Sequence, residues 1–467
     1  MPKVSQTTCS RKMQSGGAYS RNGGCMTGAK HTVLVVLLLS TVLDGPASAV
    51  EFDFSGSARG RLAIGTDEPE LQSTELTLMP EVVSRFDNGW KLTSIGRLRT
   101  ELVDGLRPGN LDRKTYGPAS RPGLLRQEVE VELREFHLQG AWGETYLTLG
   151  KQQVVWGKAD GLKVLDVVNP QSFREFILED FDKSRIPLWT VNIERSVGNW
   201  DAQLIWIPDH TYHALPDRDA TYAFSSPRLV PSAPPGVSVD IRSVDRPDRF
   251  LMDSDAGLRL STFWKGWDIS LNYLYQYDNF PVLFQRLDVR PTGPVVVIEP
   301  RFERTHVIGG TFSNAFGDWV VRGELGFFSD RFFRTNETAD RDGITKSSEL
   351  SGVLGLDWTG IEDTFLSAQL FQSWVTAPSA GLVRDELDTN LTFLVRRDFF
   401  NDTLRAEVLW IVNTNDGDGL IRPKIAYEWQ DNLKTWVGAD IFYGDRDGLF
   451  GQFGNNDRVI LGVEWGY

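Results

Sequence analysis

The final eleven residues, Asp457 to Tyr467, read D-R-V-I-L-G-V-E-W-G-Y. On an extended strand Val459, Leu461, Val463, Trp465 and Tyr467 share one face, and Arg458, Gly462, Glu464 and Gly466 share the other. Ile460 is the single apolar residue out of phase. A strand this strictly two-faced needs an apolar medium on one side and polar surroundings on the other. A sheet packed on a soluble core satisfies that demand, and so does a sheet with lipid along one face.

The rest of the chain separates these two solutions. Phe52, Phe54, Gly56, Ala58, Gly60 and Leu62 alternate with Asp53, Ser55, Ser57, Arg59 and Arg61, and a similar run ends at Asp87-Asn88-Gly89. Asn-Gly between two alternating runs is a strong hairpin signal. Further tight turns follow at Gly140–Glu144, Gly198-Asn199, Lys265-Gly266, Phe316–Asp318, Thr359–Asp363, Phe399–Asp402 and Gln430–Asn432. Trp90, Trp142, Trp200, Trp264, Trp267, Trp319, Trp358 and Trp429 stand in or beside most of them. Between the tight turns lie longer polar connections, among them 104–124, 156–187, 208–253 and 444–456. Short turns on one rim, long loops on the other and aromatic rings near the interface are the habits of an outer-membrane barrel. The predicted fold class is all-β: a transmembrane antiparallel β-barrel of about eighteen strands. It has long extracellular loops, one inserted helical loop, and both ends on the periplasmic side. Between Arg126 and Gln139 the apolar phase changes around Arg134-Glu135, which requires a β-bulge or a strand that overruns the membrane.

The C-terminal placement of Gly462, Trp465 and Tyr467 resembles the insertion signal of Gram-negative outer-membrane barrels. That resemblance implies the barrel-insertion machinery, outer-membrane lipid and lipopolysaccharide as partners. A mean hydropathy of −0.26 with 24% charged residues excludes a bundle of membrane helices. Such values suit a barrel, where only alternate strand residues meet lipid. Lys30, the apolar run 32–43 and Ala47-Ser48-Ala49 form the pattern of a signal peptide over residues 1–49, with Met26 as a candidate start. Residues 50–467 are then the barrel. Cys9 and Cys25 leave with the signal, so the mature chain has no thiol for a disulfide or for metal ligation. The net charge of −14 argues against nucleic acid as a partner.

Lys151 to Trp189 is the least barrel-like stretch. Asn169-Pro170 has the form of a helix N-cap with proline at the first helical position, after which Phe173, Phe176, Ile177 and Phe181 share one helical face and Arg174 lies on another. Trp156-Gly157-Lys158, Asp160, Asn169-Pro170 and Arg185-Ile186-Pro187-Leu188-Trp189 resemble a Gram-negative porin-like family catalogued only as a domain of unknown function. The resemblance implies a barrel with an inserted loop folded into or over the lumen, and brings no substrate. Trp156, Lys158, Asp160, Asn169, Phe173, Arg174, Phe176, Ile177 and Phe181 are the candidate pore constriction. Two readings stand: a constriction or plug that sets what passes, or a loop packed for stability alone.

A second candidate is the lumen-facing charge. Arg396, Arg405, Arg422, Lys424, Lys434 and Arg458 face inward on the late strands, and Arg59 and Arg61 follow across the closure. Glu81, Glu101, Glu128, Glu130 and Glu132 face inward on the early ones. Charges of this kind tune which solutes enter, or they pair across strands to fill a wet interior. Asp416–Gly419 and Asp445–Gly448 look like calcium loops but lack the first acid and the bidentate glutamate, and read as Asp/Gly turns. His137, His210, His213 and His306 form no recognisable catalytic signature, so no enzyme activity and no cofactor is expected. The Pro-rich connection 208–253 reads as an extended surface loop, a recognition surface or a cap over the pore mouth. The leading expectation is a porin-like channel for passive diffusion of an unknown small solute. Its alternatives are a barrel that hands apolar or lipid cargo to a periplasmic carrier, and a structural or anchoring barrel. Assembly as a homotrimer is left open.

Overall fold

The period of two is realised, in the computed structural model, as a closed wall of strands. The structure describes residues 50–67, 69–103, 115–126, 128–231, 236–291, 293–337, 341–378 and 381–467. The expected signal peptide, 1–49, lies outside them. In chain order the strands are β1 (Val50–Gly65), β2 (Leu71–Phe86), β3 (Lys91–Glu101), β4 (Gly123–Arg126), β5 (Val129–Trp142), β6 (Thr145–Gln152), β7 (Leu188–Val197) and β8 (Trp200–Ile207). There follow β9 (Ser238–Ile241), β10 (Asp255–Trp264), β11 (Trp267–Tyr277), β12 (Val282–Arg290), β13 (Gly293–Arg301), β14 (Arg304–Phe316), β15 (Trp319–Arg334) and β16 (Ile344–Ile361). The last are β17 (Thr364–Val375), β18 (Leu387–Phe399), β19 (Leu404–Asn413), β20 (Gly419–Gln430), β21 (Leu433–Tyr443) and β22 (Arg458–Gly466).

Leaving out β4, β9, β12 and β13, the wall is an antiparallel barrel of 18 strands, and β22 pairs with β1 to close it. Closure leaves no unpaired strand edge, which is what a sheet in lipid must achieve. The expected fold class is therefore the observed one. Tight turns join β2 to β3, β5 to β6, β7 to β8 and every later hairpin on that rim, at the positions the sequence predicts. Trp142, Trp264, Trp319 and Trp429 stand exposed beside these turns.

Along β22 the two faces are as the alternation requires. Val459, Leu461, Val463, Trp465 and Tyr467 point outward and exposed, while Arg458 and Ile460 are buried inside. Tyr467 exchanges both backbone hydrogen bonds with Gly56 of β1 (3.0 Å each), so the chain's last residue seals the barrel. Gly462 has a packing reason as well: the indole of Trp436 from β21 lies where a Cβ would project, so only glycine fits there. The phase change in β5 is a bulge. Ile95 pairs with Glu135 and the adjacent Gly96 with Leu133, leaving Arg134 as the extra residue. On the loop rim, β12, β13 and β9 form a separate three-stranded sheet.

Candidate functional site: a loop latched across the lumen

The connection between β6 and β7 does not form the helix expected from Asn169-Pro170. The helix observed is four residues long, Phe181–Ser184. The backbone of 170–173 is committed elsewhere. The Pro170 carbonyl accepts from Ile186 N (2.7 Å), Ser172 N donates to the Ser184 carbonyl (2.7 Å), and Phe173 N donates to the Ala214 carbonyl (2.8 Å). Asn169 is a brace rather than a cap: its Oδ1 accepts from Val154 N (2.7 Å) and its Nδ2 donates to the Ile186 carbonyl (2.9 Å), tying the two ends of the loop together. Phe176 sits at φ +52°, in the left-handed region that a bulky residue adopts only when its surroundings hold it there.

The first limb, from Val154 to Val168, lies against β8, β11 and β14 to β17. Trp156 Nε1 donates to Gln203 (2.8 Å), and the ring is almost wholly buried. Lys158 Nζ donates to Asp268 (2.6 Å) and Ser313 (3.1 Å). Asp160 accepts from Arg322 (2.5 Å). One wall carboxylate, Glu324 of β15, gathers three loop amides: those of Lys158, Ala159 (2.7 Å) and Leu165 (2.9 Å). Around these bonds Trp156, Val164, Leu165 and Val168 form a buried apolar cluster with Ile205, Leu274, Val307 and Phe328 of the wall.

The second limb reaches β1, β2, β5, β20 and β22 through charge. Arg61 of β1 grips both oxygens of Glu175 (2.6 and 2.5 Å), the bidentate geometry that makes such pairs strong. Arg458 of β22 donates to Glu175 (3.0 Å) and to Asp440 (2.8 Å). Arg422 of β20 completes the chain, bonding Asp440 (2.8 Å) and the Leu178 carbonyl (2.7 Å). Arg174 pairs with Glu75 of β2. Arg134, the bulge residue, donates to the carbonyls of Asp182 (2.7 Å), Lys183 (3.0 Å) and Arg185 (3.0 Å). Burial alone would raise the Glu175 carboxyl, but the Arg61, Arg458 and Arg174 guanidiniums outweigh it and hold the group well below the usual carboxylate range.

The remaining lumen charges are mostly paired. Arg59 lies 3.6 Å from Asp180 and over the Trp436 ring. Arg405 bonds Asp398 (2.6 Å), Lys424 approaches Glu407 (3.7 Å) and Lys434 approaches Glu464 (3.3 Å). Arg396 instead lies 4.8 Å from the Phe365 ring centre; Glu407 is its register partner on β19, yet Arg396 forms no ion pair among the described residues. The wall groups that receive the loop, Gln203, Glu324 and Asp440, carry no signal beyond an inward position in their strands.

Residues 208–231 form a lid over this loop. His213 Nδ1 accepts from Gln171 N (2.8 Å), and its ring meets those of Phe173 (4.9 Å) and Phe280 (4.5 Å). Burial, aided by Lys163 and Arg331, pushes His213 down to about 3, so it is neutral at ordinary pH. The Ser225 and Ser226 amides bond Gln452 (2.8 and 3.0 Å), and Arg228 reaches Asp416 (2.5 Å). Asp418 Oδ2 accepts the Phe450 and Gly451 amides (2.6 and 3.0 Å), a turn-capping role. Among the described residues no three His, Cys, Asp or Glu groups converge as metal ligands. Between lid and loop lies a cavity of about 390 Å³ whose wall includes Phe173, Phe176, Ile177 and Phe181. Two smaller polar pockets, about 130 and 100 Å³, lie on the tight-turn side, bordered by Asp180, Lys183, Arg59 and Lys424. Phe176–Asp180 is the septum between the two levels, with Phe176, Ile177 and Glu179 lining the upper cavity and Leu178 and Asp180 the lower one.

Residues 104–465 match the family described as "Protein of unknown function (DUF1302)". The chain belongs to this family. No curated protein matches it. Among solved structures it is similar to Pseudomonas aeruginosa OpdK with vanillate, at 12% identity and a TM-score of 0.49, over 89% of this chain and 98% of that one. It is also similar to Acinetobacter baumannii OccAB1, at 8% identity and a TM-score of 0.49 over 90% and 96% of the two chains. Salmonella typhi OmpF in complex with daunomycin is similar at 13% identity and a TM-score of 0.43, over 89% and 97%. The family that Trp156-Gly157-Lys158 and Arg185–Trp189 suggest in the sequence is thus the family matched.

Proposed function

We propose that this DUF1302 protein is an outer-membrane channel through which small solutes diffuse passively, exported by residues 1–49 and narrowed by the loop between β6 and β7. The observation that carries the reading is the loop's double attachment: Glu324 holds it on one wall and Arg61 with Arg458 on the opposite sector. A loop serving only to brace the wall needs attachment to its neighbours; this one crosses to strands at both ends of the sequence. The outward apolar faces and closed sheet suit a bilayer that must satisfy every backbone group internally. The solute path then runs past Phe173, Phe176 and Phe181 into the charged pockets near Arg59 and Lys424.

Planar-bilayer recording tests this. Ohmic steps that grow when residues 158–184 are deleted support it, and no conductance from either protein sinks it. A shift in gel mobility on boiling verifies that each variant is folded. A second reading, transport of apolar cargo, is favoured by the phenylalanine-lined cavity between loop and lid. Stoichiometric co-purification of an apolar molecule supports that reading.

A further inference from the structure

The cavity between loop and lid, at about 390 Å³, falls in the range of roughly 300–1,000 Å³ typical of small-molecule sites. Its rings come from segments far apart in sequence: Phe173 and Phe176 from the lumen loop, Phe224 from the lid, Phe280 and Phe450 from two other connections. Phe173 meets Phe280 at 5.3 Å and Phe176 meets Phe450 at 5.7 Å, so the rings support one another and present a broad apolar wall.

Charge narrows the class of molecule this wall receives. Its two cations are already engaged: Lys163 lies 2.9 Å from Asp166, and Arg331 bonds Glu349 (2.8 Å) and Asp278. Three acids, Asp166, Glu179 and Asp278, line the same wall, and His213 beside them offers Nδ1 as an acceptor to Gln171. Asp166 is also paired with Arg185 (2.8 Å), and Glu179 lies 3.5 Å from Arg174. Asp166 Oδ1, Glu179 Oε2 and Lys163 Nζ are buried without a hydrogen bond. Every charged group of the wall is thus held in an ion pair, and an entering anion would have to displace a carboxylate to gain a cation. A neutral, largely apolar molecule leaves these pairs intact and buries its surface against the rings.

We infer that this cavity is a binding site for a flat, largely apolar, uncharged molecule, and that it rejects the anionic analogue. The inference rests on the apolar-cargo reading above, yet its test does not depend on conductance. The probes are 2-naphthol and 2-naphthoate, which share a ring system and differ in charge. Calorimetric titration of the purified barrel in detergent, with empty micelles subtracted, is expected to show one saturable site for 2-naphthol and binding at least about tenfold weaker for 2-naphthoate. Phe173→Ala weakens 2-naphthol by about tenfold through loss of its ring contacts. Leu229→Trp, which puts a larger side chain into the cavity from its wall, abolishes the saturable site. Boiling-dependent gel mobility identifies folded variants. Tighter binding of 2-naphthoate, no saturable binding of either probe, or binding unchanged in the folded Leu229→Trp protein overturns the inference. A barrel that conducts but binds no naphthol loses this site and keeps the channel. A barrel that binds naphthol and never conducts keeps the site and loses the channel.

Discussion

The two limbs of the lumen loop are fixed by opposite physics. Val154–Val168 is held by apolar burial around Trp156 and Leu165, with Glu324 collecting its amides. Residues 174–185 are held by guanidinium–carboxylate pairs, Arg61 and Arg458 on Glu175 and Arg174 on Glu75. Apolar contacts are indifferent to pH and lose energy gradually as atoms are removed. Buried ion pairs are nearly indifferent to added salt, but fail abruptly when one partner is lost, because the other charge is stranded. The first limb is built as a fixed mount and the second as a latch. Phe176, with its positive φ, stands where the latch closes between the two levels of the lumen.

The largest effect is expected from Glu175→Ala. It takes one of two carboxylates from each of Arg61 and Arg458, both almost fully buried, leaving them Glu75 and Asp440, at a cost of up to about 3–5 kcal/mol to the latched state. The expected outcome is a folded barrel with larger conductance and a second limb open to protease. Unchanged conductance with an intact limb would show that the latch does not narrow the path. Leu165→Ala tests the mount. Leu165 is 1% exposed and packs where a side chain on Gly309 or Gly326 would collide with it, so truncation costs about 2–5 kcal/mol. Its expected signature is a lower unfolding temperature with conductance little changed, because the latch still holds. If both substitutions give the same profile, the loop opens as one body and the contrast between limbs fails.

The wall was largely legible in the sequence because alternation and turn chemistry are local. Asn88-Gly89 announces its hairpin, and Val459 to Tyr467 announce their two faces. Residues 169–181 depart from their local pattern for a reason of the same kind. Phe173, Phe176, Ile177 and Phe181 do have helical spacing, but the backbone groups of 170–173 are taken by Ser184, Ile186 and Ala214, partners that no local pattern names. Glu324 shows the limit most plainly. In V-V-R-G-E-L-G-F-F it is one inward acid among many, and nothing nearby says that three amides from 158–165 will converge on it. An inward position is legible in the sequence for Arg61, Arg422 and Arg458, but their pairings are not, since pairing depends on which segment the loop brings opposite each strand.

Acid separates lid from latch. His213 is neutral in the fold down to about 3, against an ordinary value of 6.5. Below about 6.5 the unfolded chain binds a proton that the folded one refuses. Stability from this site is therefore full above 6.5 and falls as pH drops toward 3. Glu175, held well below the usual carboxylate range, contributes stability above its unfolded value near 4.3 and loses it only at lower pH, as its folded value is crossed. Between pH 6.5 and 4.5 the melting temperature should decline and His213→Asn should flatten the decline. An unchanged slope in His213→Asn would assign the acid sensitivity elsewhere.

The smallest expected effect concerns the exposed lumen charges, and it sharpens what pairing means for selectivity. Lys424 and Lys434 are each more than a third exposed and lie 3.7 and 3.3 Å from Glu407 and Glu464. Solvent screens such pairs, so each supplies little net field to a passing ion. Arg396 has a ring beside it and no ion pair among the described residues, the Glu407 opposite it being the acid that Lys424 approaches. Arg396→Glu should therefore move the reversal potential in a salt gradient toward cation preference more than Lys424→Glu or Lys434→Glu does. Equal shifts from all three would mean that the ion pairs are too loose to cancel, and that the field in the lower lumen follows total charge. No shift from any of them would place the ion path away from this sector.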